Sequence, residues 1–446
     1  MRKILILPAV LGASLVACDD AGSDPVADGG AAADAAADAT VFSSINLAVE
    51  APPTEAPAGS VVELVVQASL PDGAPAAGLV LEATVAQGGG RAEPATTGED
   101  GRATLAWQLG PAPVAQRLRI TVGPGAAEVQ LDALAPEEAA TAAPFGDVAT
   151  WLGEREVAGS TEDLEFWGGG LVLGVPGGLI RLDPAGAIEE VPLTGDAVGA
   201  PLGLAADRAG NLWVADADAN ALLKIDPSGA VSTVLTEVDA MPLVGPNFVA
   251  IGPDDKVYLS DPCLGLLIRF DPAAGAVDAT HAFDLATEGG PNGFAFQGDT
   301  LWVVTENTVL VCRQGGMAPI DAPLAGLFRM PTTAEGFGER STVATGLGVF
   351  GDGLTFDGEG NLYVILDQVA NLRLSESAVW VLPAGGQTLR KFLVAEGVLY
   401  ANLAFGQGNF DSTTLFVSLL SVPPFAGPIS RGVQSFVVGI AGKPLP

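Results

Sequence analysis

Six short segments of the chain open an apolar, strand-like run in the same way, and the residue just before each run is Glu162, Leu202, Asn247, Asn292, Asp352 or Ala401. Four of these six positions carry an oxygen-bearing side chain. One Glu, two Asn and one Asp suit a hard divalent cation: Ca²⁺ takes six to eight oxygen ligands at about 2.3–2.6 Å, including carboxylates, amide carbonyls and water. Two carboxylates balance its charge, and two neutral amides add donors without adding repulsion. Zinc fits less well, because the set has no His or Cys. Asn and Asp also introduce strands from turns without any metal, so the shared register carries the expectation rather than the residue types.

The register follows from a repeat. PLGLAADRAGNLWVAD from Pro201, PNFVAIGPDDKVYLSD from Pro246, PNGFAFQGDTLWVVTE from Pro291, GDGLTFDGEGNLYVIL from Gly351 and YANLAFGQGNFDSTTLFVSL from Tyr400 share one pattern, and EDLEFWGGGLVLGV from Glu162 opens the series. Each has a short apolar strand, an Asp/Gly turn and a second apolar strand. Several copies continue to a third strand ending in Asp-Pro, at Asp183-Pro184, Asp226-Pro227 and Asp271-Pro272. The aligned positions are spaced by 40, 45, 45, 60 and 49 residues. Units of about 45 residues with four strands are the signature of propeller blades. In a propeller the first strand of each blade lines the central channel, so aligned positions form a ring around the axis. The expected fold is all-β: a six-bladed β-propeller over 145–446. Trp213, Tyr258, Trp302, Tyr363 and Phe416 recur in second strands and read as packing between blades. The fourth unit has an extra segment, about Gly315 to Val349, which reads as a rim insertion, either pocket-shaping or passive.

Before the repeats, residues 44–134 read as a small β-sandwich of alternating strands such as Val61 to Ala68, separated by turns such as Pro71-Asp72-Gly73. Residues 19–43 are small, acidic and of low complexity, a flexible linker. Residues 1–18 have Arg2 and Lys3, an apolar run and small residues leading to Cys18, an export signal. The net charge of −33, from 53 acidic and 20 basic residues, opposes nucleic acid phosphates and anionic headgroups. Cys263 and Cys312 either pair or remain two buried thiols. No nucleophile elbow, phosphate-binding Gly loop or zinc-binding Cys cluster is present.

Several resemblances to known families add to this reading. Leu15-Val16-Ala17-Cys18 resembles the lipobox of bacterial lipoproteins. It implies lipidation of Cys18 and a protein of the cell envelope, lipid-anchored to a bacterial membrane and facing the periplasm or exterior. The stretch from Val85 to Leu109 resembles bacterial immunoglobulin-like domains. Pro291-Asn292-Gly293, Gly351-Asp352-Gly353-Leu354 and Ala401-Asn402-Leu403-Ala404-Phe405-Gly406 resemble the senescence marker protein/gluconolactonase family, over roughly residues 150–446. Glu162-Asp163-Leu164-Glu165 followed by Gly170-Leu171 is similar to the related paraoxonases.

The gluconolactonase resemblance implies that Glu162, Asn247, Asn292 and Asp352 hold a catalytic metal, Ca²⁺ or another divalent ion. Glu165 is a second candidate for the Glu ligand, out of register. The resemblance also implies hydrolysis of lactones or related esters, with Asp352 as general base or water-orienting group. The histidine pair of paraoxonases has no counterpart, since the single histidine, His281, lies far from any inner-strand start and reads as structural. The competing expectation is a noncatalytic binding or adhesion lipoprotein with a structural metal, because Leu204 to Pro227 resembles NHL-type repeats.

Overall fold

The structure, a computed structural model, describes residues 44–136, 138–152, 161–309, 312, 319, 321–370, 373–395, 397–420 and 432–444. The expected signal segment, Cys18 and the acidic linker lie outside the described residues.

The first folded part is a β-sandwich. In Val61–Ser69, Val62, Leu64, Val66 and Ala68 point inward while Val61 and Glu63 face water, the period-two pattern of a strand with one buried face. One sheet orders Asn46–Glu50, Val61–Ser69, Arg102–Leu109 and Gly90–Ala92. The other orders Glu55–Pro57, Gly125–Leu134, Ala115–Val122, Val80–Gln87 and Ala95–Thr96. Their inner faces share a core around Trp107, Leu64, Leu105 and Leu118.

Six sheets of four or five strands follow, antiparallel except where Thr194–Gly195 pairs parallel with Ala230–Leu235. Their first strands are Leu164–Trp167, Pro201–Ala206, Val249–Ile251, Gly290–Gln297, Phe350–Phe356 and Leu399–Phe405. Their second strands are Gly170–Val175, Leu212–Asp216, Val257–Asp261, Thr300–Glu306, Leu362–Ala370 and Thr414–Leu420. Gly170–Val175, Leu212–Asp216 and Val257–Asp261 are buried along their whole length, which is why they read as unbroken apolar runs. The hairpin turns repeat one device. Asp207 accepts hydrogen bonds from the Ala209 and Asn211 amides and from Trp213 Nε1, and Asp357 does the same for Glu359, Asn361 and the Tyr363 hydroxyl.

The sheets close on themselves. Apolar cores lie between sheets one and two, two and three, three and four, four and five, five and six, and six and one. Trp213, Tyr258, Trp302, Tyr363 and Phe416 each pack into the core shared with the following sheet. The last sheet takes its outer strand from upstream: Ala143–Phe145 pairs antiparallel with Gly432–Val437. The sequence reading placed the start of this region at 145 and did not include that strand. It also read Gly315 to Val349 as a rim insertion. The described part of that segment instead supplies the outer strands of sheet four, Gly326–Thr333, Gly336–Phe337 and Ser341–Thr345.

The sandwich is seated on the fifth and sixth sheets. Ala112 and Val114 are buried in their core. The Arg390 guanidinium donates to both Asp132 carboxylate oxygens at 2.7 and 2.5 Å, and to the Pro113 and Ala133 carbonyls.

Candidate functional site

The first strands share an irregularity. Their pairing register shifts between Pro201 and Gly203, Pro291 and Phe294, Gly351 and Leu354, and Tyr400 and Leu403. Leu202, Asn292, Asp352 and Ala401 sit inside these bulges, while Asn247 and Glu162 lie just ahead of the paired part of their strands. A bulge re-aims a side chain without ending the sheet. The next residue explains the glycines. A Cβ on Gly203 would collide with the Asn247 carbonyl, on Gly293 with the Asp352 carbonyl, and on Gly353 with Asn402. In the first sheet that position is Asp163, which accepts the Leu204 amide proton and a bond from Asn402 Nδ2. Neighbouring sheets are thus pinned together at the register of the four candidate ligands.

All four candidates are buried. Asn247 Nδ2 donates to Glu162 Oε1 at 3.1 Å. Burial raises the Glu162 carboxyl to about 8, helped by the negative charges of Glu306 and Asp163 and opposed by the Asn247 hydrogen bond. Burial also drives Asp352 well above the ordinary carboxylate range, with Glu162, Asp367, Glu306 and Asp163 adding repulsion. The charges acting on both groups are all carboxylates. Asn292 Oδ1 is buried with no hydrogen-bond donor. A buried amide oxygen without a partner is costly, and a bound cation would satisfy it.

Two participants were not read from the sequence. The second strands of sheets two, three and four end in an acidic residue, Asp216, Asp261 and Glu306, and that of sheet five carries Asp367 three residues before its end. Asp216 is saturated by the amides of Gly199, Ala200, Asp218 and Ala219. Asp261 is likewise held by Val244, Gly245 and Leu264. Glu306 and Asp367 each keep a bare buried oxygen, Oε1 and Oδ1. Burial raises both to about 8, against hydrogen bonds from Asn292 and Ser377 respectively.

Glu165, the second candidate, is not with this group. Its carboxyl, raised to about 8 by burial and by Asp163, lines a cavity of about 320 Å³ farther along the channel. Leu164, Leu204, Val249, Phe294, Leu354 and Leu403, each two residues beyond the ring position, line that cavity too, and none of the four ring residues does. The ring therefore rests on an apolar layer. His281 lies on Ala276–Ala282, the fourth strand of sheet three, packed against Phe283 and Phe337 and away from the ring register. Cys263 and Cys312 form a disulfide that joins the loops following Asp261 and Glu306. Among the described residues no three His, Cys, Asp or Glu side chains are grouped as ligands of one ion. No helix among the described residues is long and apolar enough to cross a membrane.

No family model matches the chain. It is 23% identical over 250 residues to a gluconolactonase of Zymomonas mobilis, an alignment covering 54% of this chain and 66% of that protein, just under two thirds. Among solved structures it is similar to a gluconolactonase from Xanthomonas campestris, at 16% identity and TM-score 0.46, covering 69% of this chain and 98% of that one. A putative gluconolactonase gives 17% identity and TM-score 0.46 over 64% and 91%. A streptogramin B lyase gives 13% and 0.41 over 77% and 96%. The chain is thus gluconolactonase-like in sequence, on an all-β fold of the propeller type.

Proposed function

We propose that the six sheets are the blades of a six-bladed propeller, and that the protein is a calcium-dependent hydrolase of lactones or related esters. The observation that carries the metal is the Asn292 amide oxygen, buried and without a donor in a ring with Glu162, Asn247 and Asp352. Two carboxylates and two amides fit a hard divalent cation in charge and in donor type. Such an ion, when bound, supplies Lewis-acid polarisation of a substrate carbonyl. Asp352 accepts the proton of the attacking water at its carboxylate. Glu162 is held in place by Asn247 Nδ2, and the apolar layer of Leu204, Val249, Phe294 and Leu354 keeps water from the underside of the ring.

The sandwich is read as an immunoglobulin-like spacer. Cys18 is read as the lipidated anchor of a cell-envelope protein on the periplasmic or outer side of a bacterial membrane. The Cys263–Cys312 disulfide supports an oxidising compartment. A noncatalytic propeller with a structural metal is the second reading, favoured by the burial of all four ring residues.

Hydrolysis of a panel of five- and six-membered lactones and aryl esters, by calcium-loaded and chelator-treated protein, separates the two. Calcium-dependent turnover that is lost in Asp352→Asn with the fold retained supports the hydrolase. Calcium binding without turnover on any substrate leaves the noncatalytic reading.

A further inference from the structure

The ring uses two of the carboxylates at this end of the channel; of the others, Asp163 is filled by the Leu164 and Leu204 amides and by Asn402, while Glu306 and Asp367 are not filled. Glu306 pairs across from Gly290 and Asp367 from Phe350, so each stands beside an inner strand that carries a ring residue, Asn292 or Asp352. Glu306 is 4% and Asp367 1% exposed. Each has an oxygen that no donor reaches, Oε1 and Oδ1. One strand position earlier, at the places of Thr305 and Leu366, sheets two and three hold Asp216 and Asp261, whose oxygens are filled by backbone amides. Glu306 and Asp367 stand one residue further along their strands, and there no donor fills the remaining oxygen.

Both acids act on Asp352 together with Glu162, and Glu306 is hydrogen-bonded by the Asn292 side chain. Five carboxylates, Asp163 among them, thus act on one another in this buried region, and one divalent ion balances two of them. Buried carboxylates without a counter-charge are expensive. We propose that a second divalent cation binds between Glu306 and Asp367, next to the ring ion, so that the channel holds a two-cation centre. This rests on reading the ring as a metal site. A cation held through two carboxylates keeps most of its coordination sphere as water, the habit of Mg²⁺ and of weakly held Ca²⁺.

The test is equilibrium dialysis of the full-length protein against Mn²⁺, with electron paramagnetic resonance of the bound ions. The expected result is two Mn²⁺ per chain with spin coupling between them in the wild type. Glu306→Gln and Asp367→Asn should each bind one ion, uncoupled, while melting as cooperatively as the wild type. Two coupled ions persisting in both variants would overturn the proposal. A single ion in the wild type, retained in Glu306→Gln but lost in Asn292→Ala, overturns the second site and leaves the ring. No bound ion in the wild type overturns both.

Discussion

Gly293 lies against the backbone carbonyl of Asp352 on the neighbouring sheet, with no room between them for a Cβ. The obstacle is main chain, which cannot rotate away. Gly293→Ala should therefore push sheets four and five apart where Asn292 and Asp352 meet. Overpacking of this kind costs about 1–3 kcal/mol. The melting temperature should fall, and calcium affinity should fall with it. An alanine variant that melts and binds calcium like the wild type would show that the close approach does not set the ring.

Asp216 closes the second strand of its sheet, as Glu306 does two sheets later, and it does a different job. It accepts from four backbone amides between Gly199 and Ala219. Asp216→Ala leaves those donors unfilled and should destabilise the protein by about 3 kcal/mol or more. Calcium affinity measured well below the melting point should be unchanged. Denaturant titration and calorimetry read the two quantities separately.

The Cys263–Cys312 disulfide spans 49 residues and clamps the loops beyond Asp261 and Glu306. Loop-closure entropy for such a span gives about 2–4 kcal/mol. Reduction, or the Cys263→Ser/Cys312→Ser pair, should lower stability by that amount in urea. A change below about 0.5 kcal/mol would mean that the unfolded chain gains little freedom.

Burial holds His281 below its ordinary value of 6.5, with the positive charge of Arg340 adding to the effect and Glu288 opposing it. Its Nε2 is buried without a partner. The folded state thus keeps the ring neutral while the unfolded chain protonates near 6.5. Stability from this group is complete above that pH and is progressively lost as the pH falls below about 6.5 toward the lower folded-state value. In His281→Phe that part of the acid limb should disappear, read as midpoints of urea unfolding at pH 7.5 and pH 5. An unchanged acid limb would mean the group is solvated.

The repeat made the sheets and the ring register legible, because a second strand buried on both faces is an unbroken apolar run and the Asp/Gly turns recur. The spacing from Glu162 to Ala401 placed four oxygen donors at equivalent positions, and the structure buries all four. Glu306 and Asp367 were not legible. Four second strands carry an acid at or near their end, and whether it caps a loop or stays bare depends on loop geometry that residue types do not encode. Ala143–Phe145 was missed because three residues carry no period. The strands from Gly326 to Thr345 were missed because Gly, Pro and Thr there look like loop.

The most direct measurement is an anomalous-difference Fourier map from crystals of the full chain grown with Mn²⁺, collected above the manganese edge. The account predicts a peak on the propeller axis within about 2.0–2.6 Å of oxygens of Glu162, Asn247, Asn292 and Asp352. Density that shows those side chains with no anomalous peak between them, in crystals soaked at millimolar metal, would contradict it.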